Sequence, residues 1–566
     1  LSVAAGRIDG VLVAVEPDGA GGGRLQPLRA DGGPAGPVEP VTDLAAAVAA
    51  REARDRPRWV WATTPGVYPA LHRAGVRLDR CHDVELTEAL LLGYAGRWGE
   101  PRALAAAWAR LTGAPVPPDP PAPPVAPPGH GQQALFDPPP VHPRPGLDAL
   151  VRVHADQQAR IGRVERPGRF RMLVAAESAG ALTAVEMGAA GLPWRADVHD
   201  RLLLELLGEP SPVGGPPRRL AELAGRIGAA FGLPRLHADS PAELLRAFAA
   251  AGVELPNTRA WSLRRVDHPA VPLLLRYKEL YRIWTAHGWA WREAWVRGGR
   301  FRPEYVPSGV VSGRWATRGG GALQIPRVVR RAVVADPGWR LVVADAGQLE
   351  PRVLAAMSGD GRLAAAGAEG DLYAALARDA FDGDRSRAKV ALLGAMYGQT
   401  GGSAVPALAV LRRNYSTAFD FVEAAARTGQ AGGLVRSWLG RTCPPPSVGL
   451  GDLDAAGWDP DAGPEPSGAA SRARGRFTRN FVVQATAAEW AATLLATVRA
   501  GLAGTAAELV FFQHDEVLVH CPERQAPQVV ALLHAEADRA GRLLFGDTPV
   551  RFPLDVSVVE CYADAH

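Results

Sequence analysis

Apolar and polar positions change rhythm twice along the chain. Apolar runs at Gly10–Val15 and Trp59–Ala62 predict strands, and a Gly-rich turn lies between them at Asp18–Gly23. Helical spacing at Leu44–Ala53, around Tyr68–Arg73 and at Val84–Leu92 predicts helices, so the first hundred residues read as a small α/β unit. Between Pro115 and Pro145, 31 residues hold 14 of the 50 prolines, a stretch that builds neither helix nor central strand. It reads as a semi-extended linker over 113–146, separating a unit at 1–112 from one at 147–566. Long Ala-, Leu- and Arg-rich helical patterns follow to about residue 300, and strands and helices then mix to the end.

Composition narrows the class. At 566 residues and 47% apolar content, several globular domains are expected. Cys81, Cys443, Cys521 and Cys561 lie far apart with no CxxC pair, which suggests neither a zinc site nor a disulfide framework. No continuous apolar run reaches the ~18 residues of a membrane span. Leu1–Val15 lacks the pattern of a secretory signal, and sparse, scattered cysteines make a reducing cytoplasm the default; a monomer with no membrane partner is expected. Because the numbering starts at Leu, a start codon or a few residues are expected to be missing.

Charge is nearly balanced, with Lys+Arg 63 against Asp+Glu 59, yet only Lys278 and Lys389 are lysines. That bias resembles the coding of a GC-rich genome, and a lysine that persists against it is a suspect, since ammonium and guanidinium are not interchangeable. From Arg259 to Arg331 there are 15 basic residues and four acidic ones. Such density is the footprint of a polyanion site. The same stretch holds Trp261, Trp284, Trp289, Trp291, Trp295 and Trp315, which are read as core.

Three segments carry candidate chemistry. In Trp339–Arg352 an apolar strand ends in Asp345, a glycine follows, and a helix begins near Glu350; a carboxylate at a strand tip suits a metal, although strand-Asp-Gly is also an ordinary turn. In Asp384–Gly398, Asp384 suits an N-cap and Arg385, Lys389 and Leu393 share one helical stripe, with Tyr397 a turn further. Two cations followed by apolar and aromatic groups suit phosphates and a flat base; an amphipathic helix with a basic edge is the plainer alternative. In Glu508–His520 two apolar strands flank His514-Asp515-Glu516, which reads as a hairpin with carboxylates at its tip. Together these describe a phosphoryl-transfer site. Asp345 and Asp515 would share two divalent ions ~4 Å apart, Mg²⁺ or alternatively Mn²⁺. Lys389 and Arg385 would hold a triphosphate.

In order and spacing, the segments resemble motifs A, B and C of the family A (polymerase I-type) DNA polymerases. The family's D-Y-S-Q-I-E-L-R is matched by Asp345-Ala-Gly-Gln348-Leu-Glu350-Pro-Arg352. Its R-x-x-x-K-x-x-x-F-G-x-x-Y-G is matched at Arg385, Lys389, Leu393, Gly394, Tyr397 and Gly398, and its V-H-D-E at Gln513-His514-Asp515-Glu516. Ser312-Gly313-Arg314 and Leu323-Gln324-Ile325-Pro326 resemble further stretches, as do Arg476, Asn480 and Gln484 and the thumb-like Tyr277-Lys278-Glu-Leu-Tyr-Arg282. The resemblance implies an α/β multidomain fold, a right-hand polymerase preceded by a small ribonuclease H-like exonuclease-type domain. The thumb would fall at about 170–300, the palm at 301–380 and 470–566, and the fingers at 381–470.

Primer-template DNA and dNTPs are the implied partners, in repair or gap filling. Asp345 and Asp515 are implied as metal ligands and Lys389 as a catalytic cation. Arg385, Gln348, Glu350, Leu393 and Tyr397 would meet the dNTP, with Glu350 as a gate against the ribose 2′-OH. Arg314, Gln324, Arg476, Asn480, Gln484, His514, Lys278 and Arg282 would meet DNA.

Departures are present. Ala346, Gly347, Pro351, Tyr373 and Leu393 replace the family's usual residues, so slower catalysis is expected. A catalytically inactive DNA- and clamp-binding protein is the competing reading. The exonuclease Asp-x-Glu is matched by Ala14-Val15-Glu16, which predicts no proofreading, and no 5′ nuclease segment is recognised. Inside the linker, Gln132-Gln133-Ala134-Leu135-Phe136 resembles a sliding-clamp peptide anchored by Gln132, Leu135 and Phe136, against a chance Leu-Phe. A bacterial, nucleoid-associated enzyme is the expectation.

Overall fold

A computed structural model describes residues 11–121, 145–212, 214–318, 321, 325–398, 404–445 and 468–565. Its first sheet has five strands in the order Glu39–Val41, Gly23–Leu28, Leu12–Pro17, Arg58–Trp61, Arg80–Asp83. Gly23–Leu28 runs antiparallel to both of its neighbours; Arg58–Trp61 runs parallel to Leu12–Pro17 and to Arg80–Asp83. Leu12–Pro17 divides its side chains between two dry clusters. Val13 and Val15 join Trp59, Trp61, Tyr68 and Leu71 on one face, while Leu12 and Ala14 join Val60, Leu147, Leu150 and Val151 on the other. Coverage on both faces explains why this strand reads as a continuous apolar run.

Sequence patterning missed three strands of this sheet for a physical reason. Glu39–Val41 and Arg80–Asp83 are short edges of mixed polarity, and Gly23–Leu28 carries Pro27 beyond the three-residue pairing with its outer neighbour. Proline is tolerated there because no ladder donor is needed.

Helix Pro167–Ala190 links this unit to the rest of the chain. Leu182 belongs to the first sheet's core, whereas Phe170, Leu173 and Met187 belong to the largest core. The seam is also polar: Glu186 accepts from the Tyr68 hydroxyl (2.5 Å) and from Arg499 (2.6 Å), and Arg499 donates to Asp79 O at 3.1 Å. Helices Ala196–Leu207, Arg218–Ala230, Pro241–Ala250 and Ala270–His287 close around a separate core of Leu203, Leu220, Ile227, Leu244, Phe248, Leu274 and Tyr277. A private core makes this lobe a distinct packing unit.

The second main sheet is fully antiparallel, in the order Glu508–Gln513, Glu516–Pro522, Trp339–Ala346, Leu554–Val559. Val342, Val343, Phe511 and Leu518 share the largest core with Trp490 and Leu494 of helix Ala469–Gly501 and Leu533 of helix Ala526–Phe545. Ala470–Gly501 is long and apolar enough to cross a membrane, but 89% of its most apolar stretch is buried inside the protein, as in a core helix. The α/β multidomain organisation expected from the sequence is the one observed.

Candidate active site

Asp345 stands one residue before the end of Trp339–Ala346, paired in register with Glu516 on one side and Asp555 on the other. Gln513 pairs with Glu516, so His514 and Asp515 alone form the hairpin turn. His514 adopts φ 58°, the left-handed geometry that two-residue hairpins favour. The Ala346 amide donates to Asp515 O at 3.2 Å, which ties the two carboxylate-bearing segments at the ends of neighbouring strands. Burial, reinforced by the negative charge of Asp345, pushes the Asp515 carboxyl up to about 7.

Such a pair fits a hard divalent cation. Two carboxylates that oppose each other's ionisation would both be stabilised in charged form by Mg²⁺, which commonly takes one or two carboxylates and leaves its remaining positions to water and phosphate. Among the described residues no cluster of three or more His, Cys, Asp or Glu side chains forms a closed metal cage. An open two-carboxylate site is what remains.

Glu350 lies in the first turn of helix Leu349–Ser358. Its carboxylate accepts from Arg314 on one oxygen and from the Tyr397 hydroxyl (2.6 Å) on the other. Three residues from distant segments are thereby fixed beside the carboxylate pair. Burial and the Glu350 charge hold the Tyr397 phenol well above its ordinary pKa, so it stays a donor.

Helix Arg385–Tyr397 begins with the expected cap: Asp384 accepts from Arg387 N at 2.9 Å. Ala388, Ala391 and Leu392 are buried beneath it, while Arg385 and Lys389 are exposed and Leu393 and Tyr397 half-buried. Among the described residues Lys389 has no hydrogen-bond or ion-pair partner, whereas Arg385 Nε donates to Asp371 at 2.7 Å. Asp371 also accepts from Gln348 Nε2 (2.8 Å) and from Ala374 N (3.1 Å). Gln348, at φ 59°, in turn accepts from Leu372 N at 2.9 Å. Burial opposes the charge on Asp371, but the bonds from Arg385 and Gln348 outweigh it and hold the carboxyl down at about 2. Gln348 thus spends its amide on Asp371 and Leu372 and serves as a strap between the carboxylate strand and the cationic helix.

On helix Ala469–Gly501, Arg476 is exposed and Asn480 and Gln484 half-buried, forming one polar stripe on a helix buried mainly beyond its first turns. The Arg476 stem lies against Gly398, where a Cβ would come within 3.0 Å. Lys278 and Arg282 sit on the separate helical lobe; Lys278 Nζ donates to Thr258 Oγ1 at 3.0 Å, and Arg282 is exposed. Gln324, Gln132, Leu135 and Phe136 lie outside the described residues.

Sequence reading missed the supporting residues. Arg441 pairs with Glu177, both deeply buried, and lies against Gly313, so an added Cβ there would meet its Nε at 2.5 Å. Ser308 donates to Glu177 at 2.6 Å. This pair braces the loop that ends in Arg314. Tyr562 donates to Glu516, and Arg330 stands 3.8 Å from the same carboxylate. The partners are separated by up to hundreds of residues, so no local pattern announces them. The basic stretch is also partly neutralised from outside itself: Arg292 pairs with Asp200, Arg300 with Asp336 and Arg331 with Glu205.

The sequence model described as DNA polymerase family A matches residues 242–561, more than half of the chain. DNA polymerase I of Chloroflexus aurantiacus is 30% identical over 265 residues, covering 42% of this chain and 26% of that protein. The thermostable DNA polymerase I of Thermus filiformis is 28% identical over 320 residues, covering 52% and 36% respectively. The chain therefore spans only about a quarter to a third of these relatives. Among solved structures, the POL domain of Pol1 from M. smegmatis, in complex with DNA primer-template and dNTP, is similar in fold. Its TM-score is 0.67 at 18% identity, over 98% of this chain and 96% of that one.

Proposed function

The chain belongs to DNA polymerase family A, and from that premise we propose that it is a DNA-templated DNA polymerase adding dNTPs to a primer 3′-OH in the bacterial cytoplasm. The observation that carries the reading is that the Ala346–Asp515 backbone bond brings the segments of Asp345 and Asp515 together at neighbouring strand ends, with Gln348 and Asp371 linking them to a helix whose exposed side carries Arg385 and Lys389. Asp345 and Asp515 would hold Mg²⁺ or Mn²⁺, which when bound supplies activation of the primer hydroxyl and neutralisation of the phosphates.

The chain's own residues do the rest. Lys389, exposed and without a partner among the described residues, meets the triphosphate and can give a proton to the departing pyrophosphate; Arg385, oriented through Nε by Asp371, keeps its terminal nitrogens for phosphate oxygens. Glu350, pinned by Arg314 and Tyr397, forms a fixed wall where a 2′-OH would fall. Leu393 offers an apolar surface to the base. Arg476, Asn480, Gln484 and His514 would line the primer-template side, with Arg282 and Lys278 on the thumb-like lobe; Gln324 is assigned to DNA by its motif alone.

The N-terminal unit contributes support and no nuclease chemistry. Ala14 occupies the carboxylate position of the exonuclease pattern and is packed among Leu12, Val60, Leu147 and Leu150. Glu16 is engaged by Arg24 at 2.7 Å, and Asp83 caps a helix by accepting from Leu86 N at 3.0 Å. Gap filling without proofreading is the resulting role, with Gln132, Leu135 and Phe136 offered to a sliding clamp. Primer extension on a gapped template with Mg²⁺ tests the reading, using Asp515→Ala as control. Extension by the parent alone supports it; no extension by the parent with Mg²⁺ or Mn²⁺ refutes it. Equal retention of parent and Leu135→Ala/Phe136→Ala on purified clamp refutes the docking role.

A further inference from the structure

Sugar selection in the proposed reaction depends on one carboxylate, Glu350, which is only as rigid as the groups that hold it. One of its two tethers, Tyr397, ends the cationic helix; the other, Arg314, lies in the connection between strands Glu304–Val306 and Ala316–Arg318. Connections between strands are ordinarily the most mobile parts of a fold. What holds this one in place therefore sets the rigidity of the carboxylate.

Three points hold it. Ser308 has φ 53°, a left-handed geometry that a residue with a side chain enters at a cost, and its hydroxyl donates to Glu177 Oε2 at 2.6 Å. Gly313 has φ 87° and lies so close to the Arg441 guanidinium that a Cβ would meet Nε at 2.5 Å. Between them the chain closes on itself: Gly313 N donates to Val310 O at 2.8 Å, and Val310 N to Arg314 O at 3.1 Å. The third point is Trp315, which is buried with its ring 5.4 Å from Phe512 and 6.0 Å from Tyr305. It fills a notch at Gly180, where a Cβ would stand 3.3 Å from the indole.

Two of the three points rest on one buried ion pair. The side chains of Glu177 and Arg441 are 3% and 5% exposed. Such a pair is weak evidence for stability, since apolar residues of similar volume often serve as well. Its geometry is the informative part. Glu177 gives one oxygen to Arg441 and the other to Ser308. Arg441 N donates to Ser437 Oγ at 2.8 Å, and the Ser437 hydroxyl donates in turn to Glu489. The pair is thus referenced to two long helices, Pro167–Ala190 through Glu177 and Ala469–Gly501 through Glu489. From that fixed base it meets the connection at Ser308 and at Gly313, before and after the turn.

We propose that Glu177 and Arg441 are positioning residues for sugar selection: through Ser308 and Gly313 they set Arg314, and through Arg314 they hold Glu350 firm against a ribose 2′-OH. Being buried, neither side chain meets the nucleotide itself. This rests on the reading of the chain as a DNA polymerase with Glu350 as its gate. A repulsive contact discriminates only while the wall cannot yield. With the Arg314 tether slack, Glu350 can turn about its remaining bond to Tyr397 and make room for the extra hydroxyl. Incorporation of a deoxynucleotide makes no such demand and should suffer less.

The test is single-nucleotide extension of a primer-template by the full chain with Mg²⁺, comparing kcat/KM for a dNTP and for the matching rNTP. Glu177→Gln should lower the preference for the dNTP about tenfold, while kcat/KM for the dNTP itself falls less than about threefold. That variant leaves Arg441 buried without its counter-charge, so two others guard against a loss of fold. Ser308→Ala keeps the pair and removes only its hold on the connection; it should lower the preference about threefold. Glu177→Leu combined with Arg441→Met removes both charges together, should keep the parent's melting temperature, and should lose preference as Glu177→Gln does. The decisive readout comes from the Glu350→Ala background, where Glu177→Gln should lower the preference no further because the wall it supports is gone. A merely structural defect would lower dNTP and rNTP use alike in either background. An unchanged preference in all three variants, or an equal further loss in the Glu350→Ala background, overturns the inference alone. Absence of dNTP extension by the parent overturns the polymerase reading and this inference with it.

Discussion

The chain contains two sheets of similar apolar character and opposite chemical capacity. In the N-terminal sheet the central strand Leu12–Pro17 buries Ala14 in a dry cluster beneath Leu147 and Leu150. In the second sheet the central strand Trp339–Ala346 carries Asp345 one residue before its end, and the neighbouring hairpin turn adds Asp515. The difference is not in the layers but in which residues the central strand and its neighbours carry. In the first sheet helix Leu147–Gly162 packs over Ala14 and the strand is structural; in the second, burial and the charge of Asp345 push the Asp515 carboxyl up. Architecture is shared widely among proteins, whereas function resides in the few side chains grafted on it.

The largest effects should come from exchanging the two sheets' residue types. Asp515→Ala or Asp345→Ala should lower single-nucleotide extension roughly a thousandfold or more. The melting temperature should stay level or rise, because one of two mutually opposed carboxylates is gone. Ala14→Asp should do the reverse. A carboxylate forced into the dry cluster lacks partners and should cost about 3–5 kcal/mol, read by denaturant unfolding, with no gain of 3′–5′ degradation of a primer. If Ala14→Asp folds normally and degrades primers, the contrast between the sheets collapses.

How much of this was legible beforehand follows from the same contrast. Asp345, Asp515, Arg385 and Lys389 are read from local patterns because each sits at a strand tip or on one helical stripe, where spacing of two or 3.6 residues carries the signal. Glu350 is legible as a carboxylate in a first helical turn, but not as the acceptor of both Arg314 and Tyr397. Those bonds join residues 36 and 47 positions away, and nothing local encodes such closures. The brace of Glu177 and Arg441 spans 264 positions and shows in the sequence only as Gly313, whose lack of a side chain admits the guanidinium. Trp261 is the opposite case. Its indole reads as core by residue type, and only the folded surface exposes it.

A smaller effect separates the buried acids of the two halves. Glu88, under the first sheet, is met by Arg110 (3.0 Å) and Arg160 (2.9 Å). Glu489, on the core helix of the second, accepts from the Ser437 hydroxyl and from Leu439 N at 3.0 Å, with Arg441 acting from further off. Burial dominates and pushes its carboxyl from 4.5 up to about 7. A raised folded-state value means that the neutral form is favoured on folding. The contribution is fully present below about 4.5 and is lost as pH rises through about 7. Stability should therefore fall by about 2–3 kcal/mol across that window, and Glu489→Gln should flatten the slope. Urea unfolding at several pH values measures it; an unchanged slope in the variant would assign the dependence elsewhere.

The smallest effect separates the only two lysines, Lys278 on helix Ala270–His287 and Lys389 on helix Arg385–Tyr397. Lys278 is half-buried, donates to Thr258 Oγ1, and has its pKa lowered by burial. That contact needs a donor of suitable length, which arginine also provides. Lys389 is exposed beside Arg385 with no partner among the described residues, and its proposed work includes giving up a proton. A guanidinium, with a pKa above ~12, keeps its protons and spreads its charge over a plane. Lys389→Arg should thus lower the extension rate about ten- to thirtyfold while dNTP affinity changes little, since the positive charge remains. Lys278→Arg should change the rate less than about threefold. A weakened dNTP affinity with an unchanged rate in Lys389→Arg would mean that this lysine only holds phosphate. Similar losses in both variants would show that the bias against lysine marks no special chemistry at either site.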